Sequence, residues 1–329
     1  MAGKLDLDLD LDLDLDLDLD LRAGRGGGGR RFNTDDFCRL APLPVAPPGA
    51  MPGFYPLNWN TELRAWAFVR EFIVGIPWVV ANDPVASLIR ELLLQPFIPV
   101  PNDLAAANQL NPAGLANQVL GDLNASIDRA DRTGEILDQA SGAGALRYWT
   151  GMLRINPAID TNTVLLIRVA RKIGEFVAMG LKDHFRMRRP AQVYPWIMPL
   201  IDGPDTPSYP SSHALQAHMI SGVLKLALPV PVLPPAWPPL VWPPPGPPPP
   251  PPAPPSPQPP FAQTFQALDH LAYRVAYNRE VAGVHYPMDS DAGRFVALSC
   301  IFKLNAAGGA VPLFQALVAA AAGDLVDLP

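Results

Sequence analysis

DTNTVLLIRVARKIGEFVAMGLKDHFRMRRP, residues 160–190, decides the fold. Leu166, Val169, Ile173, Val177 and Leu181 recur at steps of three and four, the period of a helix with one buried face. Asp160 or Thr161 supplies its N-cap. Working outward, the same period returns. Thr61–Val74 places Leu63, Trp66, Ala67, Ile73 and Val74 on one side, with Arg70 as the exception. Asp83 or Pro84 opens a second helix, through Val85, Leu88, Ile89 and Leu92 to Leu94. Segments 103–121 and 122–140 read as amphipathic helices, and 213–228, 262–284, 289–305 and 312–323 as further ones. Strand signals are weak throughout these segments, so the class is all-α.

Two stretches stand outside this pattern. Residues 5–21 alternate Leu with Asp, and a Gly/Arg segment follows from Ala23 to Arg31. One face of such a strand would carry eight aspartates in a row, and adjacent like charges repel. Residues 1–45 are therefore expected to be a disordered low-complexity tail. A self-associating strand or an acidic comb for Ca²⁺ is the alternative. Residues 229–260 hold 20 of the 42 prolines, interleaved with Trp237 and Trp242. That composition favours polyproline II and excludes a helix or a central strand. It reads as a stiff exposed loop inserted between two helices, and as a candidate ligand for proline-binding modules. The rest, 46–329, reads as a single α-helical domain.

The totals exclude several classes. The net charge is −6, and the first 31 residues hold eight of the 31 acids against five of the 25 bases, so no basic field argues for nucleic acid. No apolar signal-peptide core and no membrane span is recognised, which reads as a soluble chain, cytoplasmic or of undetermined compartment. Cys38 and Cys300 could pair, but two buried thiols are the plainer reading.

The chemistry lies in three motifs of the C-terminal half. The first is Lys182-x6-Arg189-Pro190, the second Pro210-Ser211-Ser212-His213, the third Arg279-x5-His285-x3-Asp289. Lys182, Arg189 and Arg279 supply three cations, and an arginine fork binds two oxyanion oxygens at once. Ser211 adds a hydroxyl. If a helix starts here, the Ser212 and His213 amides lie at its N-terminus, where the dipole favours an anion. The set makes a cage for a tetrahedral oxyanion. An imidazole can attack phosphorus or protonate a leaving alkoxide. Asp289 lies four residues beyond His285, which on a helix puts both on one face and lets the carboxylate orient the ring. His285 reads as the nucleophile and His213 as the general acid.

In this order the motifs resemble those of the type 2 phosphatidic acid phosphatase / vanadium-dependent haloperoxidase superfamily, over roughly residues 160–305. The resemblance implies a helical bundle with its site among helix ends. It implies that Lys182, Arg189, Ser211, the Ser212 amide and Arg279 hold the anion. It also implies that His285 is the phosphatase nucleophile, with no cofactor, or the ligand of vanadate in the peroxidases. Two positions depart: Ser212 replaces the usual glycine, and Asn278 replaces the usual serine before the arginine, though it can still donate a hydrogen bond.

Two positions near the motifs divide the two chemistries. Haloperoxidases of this kind are expected to carry an aromatic or histidine where Thr206 stands, and an aromatic where Met179 stands. That favours a soluble, metal-independent phosphatase acting on a small phosphorylated substrate. The haloperoxidase is the runner-up, and a non-catalytic scaffold binding through its proline-rich loop is a third reading. His184, His218 and His270 match no motif position and read as structural or surface residues. His213 and His218 are five apart rather than four, and no H-E-x-x-H occurs, so no metal site is expected.

Overall fold

The computed structural model describes residues 61–95, 98, 100–101, 112–140, 142–228 and 262–326. The Leu-Asp tail, Cys38 and the proline-rich segment lie outside these residues. Among the described residues the chain is helical and has no strand. The helices are α1 (Thr61–Gly75), α2 (Pro84–Leu93), α3 (Pro112–Ala125), α4 (Arg129–Ala140), α5 (Gly142–Met152), α6 (Thr161–Phe185), the one-turn α7 (Pro190–Val193), α8 (Ser212–Ala227), α9 (Ala262–Val281), α10 (Pro287–Ala306) and α11 (Pro312–Asp324). None of them is long and apolar enough to cross a membrane.

α8 is the axis of the bundle. Fourteen of its 16 residues are buried, as expected of a helix enclosed on all sides. α6, α9 and α10 pack around it, α1 and α11 cover the outer side of α6, and α4 and α5 lie against α9. The periodic residues of α6, Leu166, Val169, Ile173, Val177 and Leu181, are all buried. Each such side chain contributes roughly 1.5–3 kcal/mol relative to exposure. A buried polar chain crosses this core. Trp149 Nε1 donates to Ser221 Oγ at 2.9 Å, and Ser221 Oγ donates to the Leu268 carbonyl at 2.8 Å, joining α5, α8 and α9. Cys300 is a buried free thiol.

Several helix starts differ from the sequence reading. Asp83 does cap α2, its Oδ1 accepting from Ala86 N at 2.9 Å. Asp160 stands at the N-cap position of α6, but its carboxylate turns back to accept from Asn156 N at 2.6 Å. The α6 terminus is capped instead by Asp324 of α11, whose Oδ2 accepts from Thr163 N at 2.9 Å. Segment 122–140 is not one helix: a 3₁₀ turn at Ser126–Asp128 separates α3 from α4. α5 falls in a stretch where the sequence reading placed no helix; it brings in the buried Trp149.

Candidate functional site

The residues of the three motifs stand at helix ends. Lys182 occupies the last turn of α6, Arg189 precedes α7, Ser211 is the N-cap of α8, and Arg279 lies in the last turn of α9. His285 sits in the turn between α9 and α10, and Asp289 in the first turn of α10. All are buried, with Lys182, Arg189, Arg279, His213 and His285 between 1% and 6% exposed. Charged side chains are almost never this buried without a partner.

His285 and Asp289 do pair, but not as a helical i, i+4 couple. Tyr286 is the N-cap of α10 and Pro287 its first residue, so His285 lies outside the helix. Asp289, the third residue of α10, accepts from Tyr286 N at 3.0 Å and from His285 Nδ1 at 3.0 Å through one oxygen, Oδ2. The same oxygen accepts from Ser208 Oγ at 2.5 Å. On the other side of the ring, His285 Nε2 lies 3.2 Å from Arg189 Nη1. Arginine can only donate, so Nε2 is the acceptor and Nδ1 carries the proton towards Asp289. The ring thus presents a bare Nε2 lone pair to the guanidinium.

Backbone carbonyls set the cations. Arg189 Nη1 also donates to the Val284 carbonyl at 2.9 Å, its Nε to the Thr206 carbonyl at 2.9 Å, and its Nη2 to Thr206 Oγ1 at 3.2 Å. Lys182 Nζ donates to the Pro207 carbonyl and, at 3.4 Å, to that of Ser208. Arg279 Nη2 donates at 3.0 Å to the Ile136 carbonyl of α4. His213 bonds the Gln139 backbone in the same helix. Arg279 is therefore a buried residue, not the surface ion pair that Glu280 or Asp289 could have made with it.

The same cations act on both imidazoles. Burial holds the His285 imidazole well below the usual range, reinforced by Arg189, Lys182, His213 and Arg279. Burial does the same to His213, with Arg279, Arg189 and Lys182 adding to it. Both rings are neutral at neutral pH. The Asp289 carboxyl is pushed up by burial, against which the Ser208 and Tyr286 bonds and the Lys182 and Arg189 charges act.

The α8 N-terminus faces this cluster from a fixed position. Ser211 N donates to the Asp289 carbonyl at 3.0 Å, and Ser211 Oγ accepts from Ala214 N at 3.3 Å. A Cβ added at Gly293 would stand 2.8 Å from the Ser211 carbonyl oxygen, so glycine lets α10 lie this close to α8. Ser212 has no positive φ and opens the helix without strain. Asn278 does not extend the cage: its Nδ2 donates to Gln139 Oε1 at 2.8 Å, and its Oδ1 accepts from Arg132 Nη1 at 3.0 Å.

Four contributors escaped the sequence reading as site residues: Ser208, Thr206 as the anchor of Arg189, and the α4 carbonyls of Ile136 and Gln139. Arg186 and Arg188 are exposed, and Arg186 pairs with Asp183 at 2.9 Å. His218 is buried in α8, while His270 is exposed. No protein-family model and no curated protein matches this chain.

Proposed function

We propose that this protein is a metal-independent phosphatase that hydrolyses small phosphomonoesters through a phosphohistidine at His285. The supporting observation is the His285 ring, with Nδ1 held by Asp289 at 3.0 Å and Nε2 set 3.2 Å from the Arg189 guanidinium. A phosphoryl group bound by Arg189 lies beside an unprotonated nitrogen. Lys182, Arg189 and Arg279 provide fixed positive charge for the equatorial oxygens of the transition state. His285 Nε2 forms the bond to phosphorus while the ester bond breaks. His213 gives a proton to the departing alkoxide. Water then attacks the phosphohistidine and releases phosphate, and His213 acts as its base. Asp289 keeps the ring in one tautomer and stabilises its charged form.

The vanadium haloperoxidase is the second reading, because a bare Nε2 in a tetrahedral-anion cage coordinates vanadate as well as it attacks phosphorus. Thr206 favours the hydrolase: both its oxygens are engaged in fixing Arg189. A paired assay decides. The purified protein is expected to hydrolyse p-nitrophenyl phosphate in EDTA, with orthovanadate inhibiting and His285→Ala removing turnover. Loss of turnover in EDTA refutes the metal-free mechanism. Bromination of an acceptor by peroxide, bromide and vanadate, without ester hydrolysis, selects the haloperoxidase.

A further inference from the structure

α3 carries none of the motifs, yet it is applied directly to the turn that holds His285 and Asp289. Gln118 Oε1 accepts from Met288 N at 2.9 Å. Met288 is the second residue of α10, and its amide has no partner within its own helix. One turn further along α3, a Cβ at Gly121 would stand 2.7 Å from Pro287 Cγ, so glycine permits the approach. The next residue, Asp122, is fully buried with neither carboxyl oxygen hydrogen-bonded, and it lies within electrostatic range of Asp289 and Tyr286. Three residues on one side of α3, Gln118, Gly121 and Asp122, therefore meet Met288, Pro287 and the surroundings of Asp289. The anion cage itself takes no side chain from α3.

The geometry points to Gln118 as a positioning residue: by capping the first turn of α10 it holds the Asp289 carboxylate on His285 Nδ1, with Gly121 setting the distance. The catalytic part of this inference rests on His285 acting as the nucleophile; the geometric part does not. Asp289 Oδ2 reaches His285 only while the amides at the start of α10 stay in register. The Tyr286 amide is held by Asp289 itself, and the next donor, Met288, is held from outside the turn by Gln118. Pro287 between them has no N–H to contribute.

The test uses the full chain with Gln118→Leu, Gln118→Asn and Gln118→Glu. Leucine removes the acceptor, asparagine withdraws it by one methylene, and glutamate keeps an acceptor in reach. Gln118→Leu and Gln118→Asn are expected to lower kcat by about 10- to 100-fold. KM for p-nitrophenyl phosphate and inhibition by inorganic phosphate should change less than about twofold, since ground-state binding is untouched. The downfield proton resonance of the His285 Nδ1–H bond is expected to shift upfield in both, and Gln118→Glu to restore resonance and kcat. A folded Gln118→Asn with wild-type kcat and resonance overturns the proposal, and so does a parallel loss in all three variants. If wild-type protein gives the resonance but no turnover, the phosphatase reading has failed. The resonance of the variants then decides the role of Gln118 alone.

Discussion

Ser208 Oγ donates to Asp289 Oδ2 at 2.5 Å, and through this bond the segment before α8 grips the turn that holds His285. Ser208 is held from three other directions. Its amide donates to the Met187 carbonyl at 2.7 Å, its carbonyl accepts from Lys182 Nζ at 3.4 Å, and its hydroxyl also lies 3.5 Å from His285 Nδ1. It connects the first motif, the second and the third.

Ser208→Ala removes one of three hydrogen bonds to Oδ2 without opening a large cavity. A hydrogen bond to a charged group is worth about 1.5–3 kcal/mol, which corresponds to roughly 10- to 100-fold in rate when it supports the transition state. The expected outcome is that loss in kcat with KM nearly unchanged. Steady-state kinetics on p-nitrophenyl phosphate measures it. An unaltered kcat would show that Asp289 needs no help from Ser208.

Anion binding should take up a proton. Burial and three cations hold the His213 imidazole well below its usual range. A phosphate dianion offsets those charges and favours the imidazolium, the form required of a general acid. Titration calorimetry with orthovanadate near neutral pH, in Tris and in HEPES, is expected to give different heats, equivalent to up to about one proton per site. His213→Gln should abolish the difference. Equal heats in both buffers for the wild type would contradict the assignment of His213.

Asp122 makes stability depend on pH. Burial pushes its carboxyl up to about 9, with Asp289 and Glu280 adding to the shift and Arg129 opposing it. In the unfolded chain the same group titrates near ~3.9. The folded state therefore holds a proton that the unfolded state has released across this window. The stabilisation is complete below the lower value and is lost as pH rises towards the upper one. Glu280, raised to about 8 by burial, leans the same way. Asp122→Asn keeps the shape without the titration, so its Tm at pH 8 should exceed that of the wild type by roughly 5–10 °C, with the two converging near pH 4. Identical Tm profiles would show that Asp122 is solvated or paired in solution.

The main features of the bundle were legible because apolar periodicity survives without knowledge of partners. Leu166 to Leu181 announced α6, and every one of those side chains is buried. The charged motif residues could be read from spacing, and the structure brings Lys182, Arg189, Arg279, His213 and His285 into one buried cluster. What could not be read is what holds them. The Val284, Thr206, Pro207 and Ile136 carbonyls anchor the cations, and a backbone carbonyl leaves no signature in a side-chain code. One error was avoidable. The helix read over 289–305 already left His285 outside, and Pro287 at the first helical position agrees, so the i, i+4 face was not open to this pair. The His285–Asp289 contact is accordingly a property of a helix start rather than of a helix face.

The same lesson extends to how the bundle is wired at its ends. Glu71 of α1 accepts from Leu313 N and Phe314 N, each at 2.8 Å, at the start of α11. Asp324, at the far end of α11, closes the start of α6, and α6 carries Lys182 in its last turn. Each link is a carboxylate borrowed from another helix, so the starts of α11 and α6 each depend on a neighbour. Damage at Glu71, a half-buried residue, would thus travel by way of two helices to the one that carries Lys182.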